Sequence, residues 1–306
     1  MAEKEKIFNF MGPRKLLAAF SGLILLLSVA SIAVNGLRFG LDFTGGSLVE
    51  VGYEQAADLN TIRTQLLDAG FEGAIVQNFG SSTDVLIRLG ETHDPKLGDK
   101  VIEVLTADGL QVDLRRNEYV GAQVGEELRE QGGLGLLLAL GMIMVYLAFR
   151  FQFKFSLGAV LALVHDVTIV LGVFSLFQFD FDLTVLAAIL AVIGYSLNDT
   201  IVVYDRIRES FRIMRTADSV EIMNASLSQT LSRTLVTSLT TVLVLIALFV
   251  FGGETIHGFA MALLLGVGVG TYSSIYVAAN LLLAMNVSKE DLMPSPKEDT
   301  EVDEAP

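Results

Sequence analysis

Residues 183–204 read LTVLAAILAVIGYSLNDTIVVY and contain a single ionisable acid, Asp199. A helix needs roughly 20 mostly apolar residues to cross a bilayer, and this stretch meets that length. Five further segments repeat the pattern along the chain. We assign spans to residues 16–37, 131–150, 155–178, 183–204, 234–253 and 258–286. The third carries His165 and Asp166 within it. Across 306 residues, 52% are hydrophobic and 18% charged, with a mean hydropathy of +0.56. Soluble domains average about 25% charged residues, so a water-soluble globule is excluded. The expected fold class is an α-helical polytopic membrane protein with six transmembrane helices and one α+β domain outside. The first span is longer than the 7–15-residue apolar core of a cleaved signal peptide, so a retained helix is expected there.

Lysine and arginine in the short flanks set the orientation. Lys4, Lys6, Arg14 and Lys15 precede the first span, and Arg150 and Lys154 join the second to the third. Arg206, Arg208, Arg212, Arg215 and Arg233 lie between the fourth and fifth. The opposite loops, Phe179 to Leu183 and Gly252 to His257, contain neither Lys nor Arg. Both termini (residues 1–15 and the acidic tail 287–306) are therefore expected in the cytoplasm. The basic stretch 205–232 joins them there as a loop or amphipathic helix, and residues 38–130 lie outside.

The net charge of −14 sits in the aqueous parts. Acids outnumber bases about two to one in residues 37–130, and the tail from Glu290 to Pro306 is strongly acidic. Nucleic-acid binding requires clustered Lys and Arg and is excluded. With no cysteine, disulfide and thiolate chemistry are excluded too. Neither a metal nor a cofactor is expected, and no nucleotide-binding loop is present.

Residues 38–130 show shorter apolar periods. Strands are expected at Leu48–Tyr53, Ala74–Phe79, Val85–Leu89 and Leu110–Arg116, and helices at Ala57–Ala69 and Pro95–Ala107. Gly70 and Gly109 stand where helix C-caps fall. The resulting order, β-α-β-β-α-β, is the ferredoxin-like arrangement. It suits a binding or mechanical module.

Charges inside a membrane are costly and functional by default. Asp199 is flanked by Tyr195, Ser196, Asn198 and Thr200. On the fifth span Arg233, Thr237, Thr240 and Thr241 form a polar stripe at helical spacing. An Asp199–Arg233 pair broken by protonation would make a proton relay, and a permanent pair would only orient two helices. His165-Asp166 is either a second proton site or a packing pair. Small residues at Gly258, Ala262, Gly266, Gly270 and Ser274 predict close helix packing along the last span.

Four motifs carry a family likeness. They are GLDFTGG at residues 40–46, VGAQVG at 120–125, GYSLNDTIVVYDRIRE at 194–209, and Ser232-Arg233-Thr234 with Thr237 to Thr241. Together they resemble the SecD/SecF family of protein-export membrane subunits, over nearly the whole chain. That family in turn is similar to one half of the proton-driven resistance-nodulation-division (RND) exporters. The resemblance implies a multi-pass protein of the bacterial inner membrane with a periplasmic domain. It implies a complex with a SecD subunit, and association with the SecYEG channel, YajC and the translocating preprotein. It implies no enzyme activity, but use of the proton-motive force to drive export. Asp199, Arg233 and Thr237 match the family's proton-pathway positions, with Asn198 and Asp166 as further candidates and Gly40, Asp42, Gly45 and Gly46 as the outer motif. A small-molecule exporter half and a non-energised scaffold are the alternatives.

Overall fold

A computed structural model describes residues 7–90, 94, 96–107, 109–214, 216–288 and 291. Lys4, Lys6, Arg215, Pro95 and the acidic tail, apart from Val287, Ser288 and Asp291, lie outside the described residues.

Six helices are long and apolar enough to cross a membrane. They are α1 (Arg14–Asn35), α5 (Ala122–Arg150), α6 (Phe153–Phe177), α7 (Leu183–Ile213), α8 (Ser219–Phe251) and the helix His257–Ala284. The last is built from α9 (His257–Tyr272), a π-helical turn (Ser273–Val277) and α10 (Ala278–Ala284). Several outrun the expected spans. The fifth span begins fifteen positions earlier, at Ser219, and α7 runs on through Arg206, Arg208 and Arg212. The stretch expected as a basic loop or amphipathic helix is thus mostly the ends of two spanning helices. Lys, Arg and Glu are good helix formers, so charge marks the membrane edge here without ending the helix. The same holds for α5, whose first turns carry Glu126, Glu127 and Arg129.

The bundle is leucine-rich outside, and its largely apolar interior holds buried polar residues. Leu23 and Leu27 of α1, Leu134 and Leu138 of α5, and Leu239 and Leu243 of α8 are exposed, whereas Ser156, Asp166, Ser196, Asp199 and Ser273 are buried. Helices in lipid associate through small residues and polar contacts, because the surrounding tails are as apolar as leucine. The α7–α9 contact follows this rule. A Cβ added at Gly258, Gly266 or Gly270 would run into Val185, Val192 or Ser196 of α7. The α1–α6 contact does the same at Gly172, which faces Ser28.

Outside the bundle, β2 (Gly46–Tyr53), α3 (Leu59–Asp68), β3 (Ile75–Phe79), β4 (Ser81–Leu89), α4 (Leu97–Thr106) and β5 (Val112–Val120) form one antiparallel sheet of order β3-β4-β2-β5 with two helices. Val49 pairs opposite Ile87, and Val76 opposite Ile87 on the other side. Inward residues alternate along β2 and β4 (Val49, Val51; Val85, Ile87), as a strand's period of two requires. They meet Ile62 and Leu66 of α3 and Val101 and Leu105 of α4, spaced by one helical turn, in one core. Asp58 caps α3 by accepting from the Asn60 N–H at 3.0 Å.

Candidate functional site

The sheet domain is tied to the bundle by the first glycine motif. β1 (Arg38–Phe39) pairs in parallel with β6 (Asp180–Phe181), which lies just before α7. Gly40 N–H donates to Phe181 O at 2.8 Å, and a Cβ on Gly40 would meet Asp182. α2 (Leu41–Thr44) then presents Asp42, whose Oδ2 accepts from the Leu183 N–H at 3.1 Å at the start of α7. Asp180 binds Arg38 at 3.0 Å and Arg88 of β4 at 2.9 Å. Phe39, Phe43 and Phe181 close the junction, with ring centroids 5.8–6.1 Å apart.

Gly45 and Gly46 have φ of +68° and +116°. With ψ at 177°, Gly45 occupies a region that is essentially glycine-only. A Cβ there would lie 2.7 Å from Ala122 Cα, and one on Gly46 would lie 2.7 Å from Leu89 O. Opposite, a Cβ on Gly125 would lie 2.8 Å from Gly45 N. The two motifs that stand far apart in sequence, 40–46 and 120–125, are thus two halves of one backbone-to-backbone crossing. That explains why glycine is needed on both sides.

Within the bundle, Asp166 is fully buried. It pairs with His165 Nδ1 at 2.8 Å and accepts from Ser196 Oγ of α7. Ser196 stands one turn before Asp199. Asp199 is 4% exposed, and its Oδ2 has no hydrogen-bond partner. Tyr195 donates to Ser238 Oγ at 3.1 Å, and Ser238 shares a hydrogen bond with Thr271 at 2.7 Å, which joins α7, α8 and α9. Tyr195 opposite Ser238 and Arg206 opposite Gln229 fix the antiparallel register of α7 on α8. That register sets Asp199 level with Thr234. Thr200 Oγ1, Thr234 Oγ1, Ser273 Oγ and His165 Nε2 are also buried and, among the described residues, unpartnered. Buried polar groups are nearly always satisfied. Five such orphans on neighbouring helices make this the candidate site. Ser273 opens the π-turn, a feature frequent at functional sites.

The sequence-predicted residues divide. Asp166 and Asp199 fall in this buried network. Arg233, Thr237 and Thr240 are exposed on the outer face of α8, and Asn198 is exposed on α7. No ion pair joins Asp199 to Arg233 among the described residues. Arg233 instead lines a shallow cavity of about 430 Å³ with Asp205, Arg206, Glu209 and Gln229. The threonine hydroxyls turn back on their own helix, Thr237 to Arg233 O at 3.0 Å and Thr241 to Thr237 O at 2.8 Å. Ser196, Thr234, Ser238 and Ser273 were not singled out as site residues. A small hydroxyl inside an apolar span was the signal available.

Six helices able to span a membrane, two buried carboxylates and an α+β domain pinned by paired glycines define a polytopic membrane protein. Residues 100–288 match the family "Protein export membrane protein SecD/SecF, C-terminal" and residues 30–57 the "SecD/SecF GG Motif". The chain belongs to the SecD/SecF family of protein export membrane proteins. It is 56% identical over 300 residues to the protein translocase subunit SecF of Pseudomonas aeruginosa, covering 97% of each chain. It is 43% identical to that of Escherichia coli O157:H7, covering 94% of this chain and 91% of the relative. Among solved structures it is similar to SecDF of Thermus thermophilus, described as a translocon-associated membrane protein. The TM-score is 0.85 at 38% identity, covering 94% of this chain and 40% of that one. A second SecDF structure, in a super-membrane-facing form, matches with a TM-score of 0.70.

Proposed function

We propose that this chain uses the proton-motive force to promote preprotein translocation across the bacterial inner membrane. It acts as a coupling subunit rather than an enzyme, in a complex with SecD and beside SecYEG and YajC. Both termini lie in the cytoplasm, and the sheet domain is a periplasmic ferredoxin-like module. The observation that carries this reading is Asp199, a carboxylate 4% exposed among apolar helices with an oxygen that no partner satisfies among the described residues. A permanent structural acid would be fully bonded, whereas one that loads and unloads a proton needs an open position.

The outer faces support a partner. Thr184, Ala187, Ala191, Gly194 and Asn198 form an exposed small-residue stripe on α7, beside the exposed Arg233, Thr237 and Thr240 of α8. Small and polar residues suit helix packing better than lipid, so this is the surface we assign to SecD. Arg233 then works with the partner's helices rather than across to Asp199 alone. One elementary charge crossing 100 mV releases about 2.3 kcal/mol, enough to bias a two-state packing about 50-fold.

The test is Asp199→Asn in vesicles exporting a preprotein with and without a proton gradient. The gradient-dependent part of export disappears, while co-purification with SecD is unchanged. Full gradient-dependent export by the variant rejects the coupling role.

A further inference from the structure

We propose that the groove between α1, α6 and the last spanning helix is a binding site for an anionic phospholipid. The lipid comes from the leaflet on the side of the chain ends. The groove encloses about 1030 Å³, at the upper end of the range for ligand sites. Along α1 its wall runs from Arg14 to Leu25. Those eleven steps span about 16 Å at 1.5 Å per residue, half of a hydrocarbon core of about 30 Å. One acyl chain of one leaflet has that reach.

The chemistry is graded along the same axis. The mouth carries Arg14 and Lys15, with Asp218 as the one carboxylate lining it among the described residues. Neither cation forms an ion pair among the described residues. Arg14 donates within its own turn, to Met11 O at 3.3 Å. Deeper in, the lining turns apolar at Leu25, Leu161 and Val164. Leu161 and Val164 are 43% and 46% exposed, so the groove opens sideways. Two polar side chains along the wall, Tyr272 and Asn280, bond α1. Tyr272 bonds Ser21 Oγ at 2.8 Å and Leu17 O at 3.1 Å, and Asn280 donates to Arg14 O at 3.1 Å. His165, 6% exposed, also lines this wall, and its Nε2 is unpartnered among the described residues. The contents of the groove therefore decide whether that nitrogen, and through it Asp166, meets water. The two cations at the mouth, free of ion pairs among the described residues, select an anionic headgroup, and the dry depth selects a hydrocarbon chain. No single water-soluble anion uses both.

Gly22 offers a clean block, because a Cβ there meets nothing within 4 Å. The full chain in detergent is titrated with phosphatidylglycerol, phosphatidylcholine or glycerol 3-phosphate, and bound lipid is counted by native mass spectrometry. Phosphatidylglycerol binds in preference to the other two. Arg14→Gln with Lys15→Gln lowers its affinity by about fivefold for each cation removed, about 25-fold together. Gly22→Phe removes binding with both cations intact, and thermal melting checks that each variant is folded. The proposal is overturned if Gly22→Phe binds phosphatidylglycerol like the parent, or if phosphatidylcholine binds equally well. It is overturned if glycerol 3-phosphate alone binds as tightly. It is also overturned if binding appears only after deletion of residues 292–306, since the acidic tail is then the occupant.

Discussion

Replacing Gly45 by alanine tests the claim that the two glycine motifs form one backbone crossing. The native φ of +68° with ψ at 177° is costly for any residue with a Cβ, about 1–3 kcal/mol. The new methyl would also lie 2.7 Å from Ala122 Cα and 2.9 Å from Ala122 N. Those atoms belong to the first turn of α5, so relief requires that turn to lift away, at a further 1–3 kcal/mol for overpacking. Both penalties are relieved by the same shift, which brings the expected loss to about 3 kcal/mol, or roughly 150-fold in a local opening equilibrium. Gly121→Ala is the control. Its backbone is ordinary, and a Cβ there approaches nothing closer than Tyr119 Oη at 3.8 Å. Hydrogen exchange on the full chain, read at β2, β5 and the first turn of α5, measures the effect. Exchange in Gly45→Ala within twofold of Gly121→Ala would refute the crossing as the source of the glycine requirement.

Gly266→Leu drives a side chain into Val192 and should cost about 1–3 kcal/mol of thermal stability. Gly268→Ala, with open space around it, should be near neutral in the same melting experiment. Asp166→Ala leaves His165 Nδ1 and the Ser196 hydroxyl without their shared acceptor, and should cost about 3 kcal/mol or more of thermal stability. Asp166→Asn should recover part of that loss by accepting from Ser196. Burial pushes the Tyr53 hydroxyl up to about 12 from 10, and its oxygen has no partner. The folded state thus keeps its proton longer than the unfolded one, so the stability of the sheet domain is complete below pH 10 and falls between about 10 and 12. Tyr53→Phe should flatten that alkaline limb in exchange rates at β2, and an unchanged limb would exclude Tyr53 as its cause.

The six spans were legible because a bilayer imposes a length and a lack of charge that no soluble fold shares. Helix ends were less so. At Arg206–Arg212 and Glu126–Glu130 the charges that stop a span also extend a helix, so α7 and α5 outrun the apolar windows. The strands of the sheet domain showed in their alternation at Leu48–Tyr53 and Val85–Leu89. What pairs across the chain could not be read along it. Asp42 caps a helix 141 positions away, and Tyr195, Ser238 and Thr271 meet only once three helices have packed. Asp199 stood out as a lone acid in an apolar run. Ser273 did not, because a hydroxyl that bonds its own helix and one left unpartnered in a buried cluster look the same in sequence.

The short β1–β6 ladder has a mechanical side. The sheet domain stands on three footings. α1 enters it through Arg38, α5 leaves it at Ala122, and the tip of α7 is gripped through Asp180 and Asp42. A body on one stalk swivels, and one on two rocks about a line, but one on three tilts only when a footing shifts. On the proposed coupling role, a rise or turn of α7, the helix that carries Asp199, would reach the outer domain as leverage rather than be lost in a loose tether.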